Sequence, residues 1–98
     1  MLDDYVGEYA ALRRGLAPVT GKTHTVEFAF GGVGTNPHWQ TPRNPWDATC
    51  HRVPGGSSAG AGVSLLTGTA MIAVGSDTAG SVRIPASVTG TVGIKTSM

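Results

Sequence analysis

The chain has 98 residues, a mass of 10.0 kDa, 40% apolar residues and 15 glycines. Its 7 basic and 6 acidic side chains leave a net charge of +1, which argues against a nucleic-acid grip built from a basic stripe. The single cysteine, Cys50, excludes an internal disulfide framework, and no apolar run approaches the ~20 residues of a membrane span. Surface scaling allows one small core that buries about 64% of the unfolded area. The acidic start, Met1-Leu2-Asp3-Asp4, is unlike a signal peptide, so the expected setting is cytoplasmic.

The first predicted element is a helix over residues 3–14. Leu2, Val6, Tyr9, Ala10 and Leu12 follow helical spacing, Asp3 or Asp4 can cap the start, and Gly15 marks the end. Residues 16–20 read as a short strand that Pro18 limits to an edge. Over residues 25–30, Val26, Phe28 and Phe30 alternate with Thr25, Glu27 and Ala29, which gives a strand by period, with one or two helical turns as the rival. Residues 31–56 carry no regular pattern, and a loop of this length is usually functional. Its two tryptophans, Trp39 and Trp46, are expected to fill a core beneath it.

Ser58 to Thr69 predicts a helix of small residues suited to close packing. Met71 to Val74 predicts a buried strand, Gly75 to Gly80 a turn, the residues after Pro85 a short helical turn, and Thr91 to Lys95 a last strand. The expected fold is α/β, a mixed β-sheet with flanking helices.

Two serine clusters stand out: Gly55-Gly56-Ser57-Ser58-Ala59-Gly60 and Asp77-Thr78-Ala79-Gly80-Ser81. Glycines beside a serine permit close approach, and successive N–H groups can form the anion-binding nest that acyl transfer requires. Taken singly, each cluster is an ordinary turn. Gly56 to Gly60 formally fits the G-x-S-x-G elbow, but Pro54-Gly55 precedes it and all three histidines, His24, His38 and His51, lie upstream. Gly21-Lys22-Thr23 has the tail of a phosphate-binding loop, yet Leu16 stands where its first glycine belongs. The histidines and Cys50 lack zinc spacing, so no metal is expected.

Together, residues 21–96 resemble the amidase signature family. The matching stretches are Gly21-Lys22-Thr23 with Glu27-Phe28-Ala29, Thr41-Pro42-Arg43-Asn44-Pro45-Trp46-Asp47, Val53-Pro54-Gly55-Gly56-Ser57-Ser58, Gly75 to Ala86, and Gly93-Ile94-Lys95. The resemblance implies a partial amidase-signature core, a single domain over residues 1–98 with a long loop at 31–56 and serine motifs at 55–60 and 75–86. It implies hydrolysis of carboxylic amides to acid plus ammonia through a serine acyl-enzyme, a C–N bond hydrolase with a Ser–Ser–Lys triad. Ser81 matches the nucleophile. Ser57 matches the bridging serine, which the family holds through a cis peptide after glycine. The amides of Thr78, Ala79, Gly80 and Ser81 match the oxyanion hole, and Ser58, Asp77 and Arg83 are expected to support it.

Ala59 and Ala79 depart from glycines common in these motifs, and at position 79 a positive φ would strain the site. The only lysines, Lys22 and Lys95, match positions that are not catalytic in the family. The resemblance places the catalytic lysine upstream, so the chain is expected to be a fragment that is inactive in isolation. Family members are also several times longer. The expected partners are a small-molecule amide and, through uncovered apolar segments, further copies of the chain; no cofactor, nucleic acid or membrane is expected. Two alternatives stay open: an inactive remnant that keeps the fold for interaction, and the amidase subunit of a tRNA-dependent amidotransferase.

Overall fold

The computed structural model describes residues 14–15 and 18–97. The helix expected over residues 3–14 and the first part of the strand at 16–20 lie outside the described residues, apart from Arg14 and Pro18 to Thr20. In chain order the elements are a 3-10 turn at Glu27–Ala29, helix α1 at Ala59–Leu66 and helix α2 at Arg83–Thr89.

The expected mixed sheet is absent from the described residues. Their one β-type pairing is an isolated antiparallel bridge between Asn44 and Arg52. Over residues 25–30 neither a strand nor a regular helical turn forms: Glu27–Ala29 is a short 3-10 turn in which Phe28 and Ala29 are left-handed, at φ 54° and 57°. The apolar segments at 71–74 and 91–95 form no ladder, and they are not buried. Met71 is 98% exposed, Ile72 80%, Val92 84% and Ile94 77%. Alternation and β-branched residues suit a segment to a pleated, half-buried surface. A strand also needs a second edge to satisfy its N–H and C=O groups, and none of the described residues supplies one.

Helix α1 exists because small residues let it sit tightly. Its buried face is Ala59, Gly60, Ala61 and Gly62. A methyl group on Gly60 would collide with the backbone of His24, and one on Gly62 would press on Thr89 and Pro85 of α2. The helix closes after Leu66, short of the expected Thr69, because Gly68 turns left-handed at φ 71° and its N–H donates to the Leu65 carbonyl at 3.1 Å. Helix α2 starts earlier than expected. Pro85 falls in its first turn, where an amide N–H would have no intrahelical partner. Gly90, left-handed at φ 71°, ends it.

Around this helix pair the long loop is pinned rather than layered. Main-chain bonds join Gly60 to His24, Val26 to Ser57, Gly56 to Gly32 and Gly55 to Val33, at 2.8–3.1 Å. The apolar core is small: Val26, Ala59, Ala61 and Ala86. Trp39 and Trp46 do not fill a core as expected, since both rings are exposed. Trp46 instead lays one edge on Gly90 and donates its indole N–H to the Thr89 carbonyl at 2.7 Å.

Candidate active site

Ser57 and Ser58 sit at the entry to α1, and Ser81 sits just ahead of α2. The packing of the two helices therefore draws the two serine motifs together. The contact is a main-chain bond, Ser58 N–H to the Ser81 carbonyl, 3.0 Å. Gly75 makes room for it: a Cβ there would strike the Ser58 side chain. The Ser58 hydroxyl leans towards the Ser76 carbonyl at 3.4 Å.

The Gly56–Ser57 peptide bond is cis. Ser57 is 1% exposed, and its Oγ has no hydrogen-bond partner among the described residues. A buried hydroxyl ordinarily finds a partner, because leaving one unmade costs about 1–3 kcal/mol. The direct Ser57–Ser81 hydroxyl bond that the family pattern would give is therefore not formed. Neither lysine reaches Ser57 Oγ. Lys22 is exposed, and Lys95 donates to the Thr96 carbonyl at 3.2 Å.

Asp77 organises the turn that carries Ser81. Its side chain is nearly buried, while Arg83 is half-exposed. One carboxylate oxygen accepts the Gly80 N–H at 2.7 Å; the other accepts the Val82 N–H at 3.0 Å and the Arg83 N–H at 3.2 Å. The Arg83 guanidinium closes the pair with two bonds of 3.0–3.1 Å. The guanidinium, helped by these amides and against the effect of burial, holds the Asp77 carboxyl well below the usual carboxylate range. Asp77 in turn pushes the Arg83 guanidinium up.

This arrangement commits one of the four expected oxyanion-hole amides. The Gly80 N–H faces Asp77, whereas the amides of Thr78, Ala79 and Ser81 make no hydrogen bond to the described residues. The turn's positive φ falls on Gly80, at 115°, and Ala79 is not left-handed, so its methyl group introduces no backbone strain. Ala59 is equally well placed, as the first residue of α1. No three His, Cys, Asp or Glu side chains converge as a metal site among the described residues.

A family model described as Amidase matches residues 9–98. The chain belongs to the amidase family. Among its amidase-family relatives, 2-amino-5-chloromuconic acid deaminase of Comamonas testosteroni is 70% identical over 91% of this chain and 19% of its own. A glutamyl-tRNA(Gln) amidotransferase subunit of Maridesulfovibrio salexigens is 48% identical over 88% of this chain and 17% of its own. The corresponding protein of Limosilactobacillus fermentum is 53% identical over 76% of this chain and 15% of its own. The chain thus spans about a fifth of the length of these curated relatives. No solved structure shows a significant match.

Two buried polar side chains in the long loop were not among the candidate site residues. Asn36 and Asn44 are both buried. The Asn36 Oδ1 accepts the N–H groups of His38 and Trp39, and its amide donates to the Thr25 carbonyl at 3.0 Å. Asn44 accepts from Trp46 N–H and donates to the carbonyls of Val53 and Val88. Each precedes a proline, and Asn-Pro is a turn-starting dipeptide, so the signal was present.

Proposed function

We propose that this chain is the serine-bearing segment of an amidase that cleaves a small-molecule C–N bond through an acyl-enzyme. The observation that carries this reading is the Ser58–Ser81 main-chain bond, beside a buried Ser57 hydroxyl that makes no hydrogen bond to the described residues. A buried hydroxyl beside the segment that bonds the nucleophile turn is placed to receive and pass on a proton. In this reading Ser81 Oγ bonds to the carbonyl carbon while its proton moves through Ser57 towards a lysine outside these residues. The C–N bond breaks, the nitrogen takes that proton and departs as ammonia, and water then releases the acid and restores Ser81. The amides of Thr78, Ala79 and Ser81, which make no hydrogen bond to the described residues, are the donors this reading assigns to the oxyanion.

The 70% identity to the deaminase, against 48% and 53% to the amidotransferase proteins, favours a small-molecule substrate over a tRNA-linked one. The test is a chimera in which residues 9–98 replace the corresponding segment of the Comamonas deaminase. The chimera is expected to release ammonia and the matching carboxylic acid from a simple primary carboxamide, whose C–N bond lies at a carbonyl carbon as the acyl-enzyme route requires. Ser81→Ala and Ser57→Ala are each expected to lower kcat by about 10³-fold or more. A folded but inactive chimera, or full activity in Ser81→Ala, overturns the reading.

A further inference from the structure

We propose that Asn44 is a positioning residue that sets the separation of the two serine motifs, an inference that rests on the reading of Ser57 and Ser81 given above. Its side-chain amide forks. Nδ2 donates to the Val53 carbonyl at 3.1 Å and to the Val88 carbonyl at 3.0 Å. Val53 leads into Gly55-Gly56-Ser57, and Val88 lies towards the end of the helix that Ser81 precedes. The Ser58–Ser81 bond joins the same two segments at their other ends. The result is a closed circuit, from Asn44 to Val53, along the chain to Ser58, across to Ser81, and along α2 to Val88 and back to Asn44.

Close packing and two more hydrogen bonds stiffen the circuit. Gly55 packs so closely on Pro85 and Val88 that a Cβ there would lie 2.8 Å from each. Pro54 and Pro85 are both fully buried. On the acceptor side, Asn44 Oδ1 takes the Trp46 N–H at 3.1 Å, which holds Trp46 where its indole donates to the Thr89 carbonyl. Asn44 and Trp46 thus satisfy two adjacent carbonyls at the end of α2, groups that a helix cannot satisfy internally. A side chain with one forked donor and one acceptor is needed here. Aspartate keeps the acceptor but turns a carboxylate oxygen against two carbonyls.

The experiment has two arms. In the 98-residue chain, amide exchange is compared at Ser58, whose N–H closes the circuit, and at Gly60, whose N–H is bonded to His24 outside it. Asn44→Ala and Asn44→Asp are each expected to speed exchange at Ser58 by about tenfold and leave Gly60 within about twofold. Asn36→Ala, at the other buried asparagine, is the control and is expected to leave the Ser58-to-Gly60 ratio unchanged. Equal acceleration at both amides, or none at Ser58, overturns the proposal. In the chimera, Asn44→Asp is expected to lower kcat by about tenfold or more with KM within about twofold, because misplaced serines weaken the transition state more than substrate binding. A raised KM with kcat unchanged overturns it. A chimera inactive before substitution overturns the functional reading instead, and the exchange arm then decides the role of Asn44 alone.

Discussion

The main chain, not the hydroxyls, couples the two serine motifs: Ser58 N–H meets the Ser81 carbonyl at 3.0 Å, while Ser57 Oγ makes no hydrogen bond to the described residues. A main-chain link survives side-chain substitution, so fold and chemistry can be separated here. Ser57→Ala removes a buried hydroxyl that makes no hydrogen bond to the described residues. It is expected to leave stability unchanged or raise it by about 1 kcal/mol in urea denaturation. A loss of more than about 1 kcal/mol would show that Ser57 Oγ has a structural partner.

Gly60 and Gly21 make a paired test of helix docking. A methyl group at Gly60 meets backbone atoms of His24, which cannot step aside as a side chain can. Gly60→Ala is expected to cost about 1–3 kcal/mol, the usual range for overpacking. Gly21 has open space around its Cβ position and no left-handed φ. Gly21→Ala is expected to be neutral or to stabilise by about 0.4–1 kcal/mol through the unfolded chain. Equal effects in the two variants would place α1 away from residues 23–24.

What the sequence revealed divides along physical lines. Local signals were sufficient for α1, where small residues follow Ser58, and for the turn at Gly80, where only a glycine takes φ 115° comfortably. The cis bond before Ser57 came from family resemblance and not from propensity. The expected strands at 71–74 and 91–95 failed because alternation reports a residue's suitability for a sheet and not the presence of a neighbour. Trp39 and Trp46 misled for a related reason: size predicts burial only when a core exists to receive the ring, and here the core is built of Ala and Val. The roles of Asn36 and Asn44 went unread because a polar residue in a loop is ordinarily solvated. Only the fold shows that these two satisfy main-chain groups beneath the surface.

Acid should loosen the nucleophile turn. The Asp77 carboxyl titrates well below its ordinary value of 3.8, chiefly because of Arg83 and the amides of Val82 and Gly80. A carboxyl whose folded value is depressed contributes its full stability above the unfolded value, about 3.9, and that contribution is lost as pH falls through the folded value. Stability is therefore expected to be flat with respect to Asp77 above about pH 5 and to decline below about pH 4. Asp47 behaves with the same sign, held low by the Cys50 and Thr49 amides, the Thr49 hydroxyl and Arg52. Urea denaturation at about pH 3 and about pH 6 separates them. Asp77→Asn and Asp47→Asn should each reduce the acid-dependent loss, and only Asp77→Asn should also speed exchange at the Gly80 and Val82 amides near neutral pH. An acid limb unchanged in Asp77→Asn would remove the carboxylate from this role.

The exposed apolar segments are expected to make the isolated chain associate. Met71, Ile72, Val92 and Ile94 face solvent in backbone that forms no ladder among the described residues. Such segments offer unpaired N–H and C=O groups together with apolar side chains, the combination that templates pairing with another chain. The near-neutral charge adds little repulsion to oppose it. Sedimentation velocity of the 98-residue chain is expected to show species larger than a monomer, with binding of an apolar dye. Ile72→Lys and Val92→Lys should each shift the distribution towards monomer without loss of the α1–α2 pair, because neither side chain is buried. A monodisperse 10.0 kDa species with a sharp thermal transition and protected amides at 71–74 and 91–95 would mean that the chain covers these segments by itself.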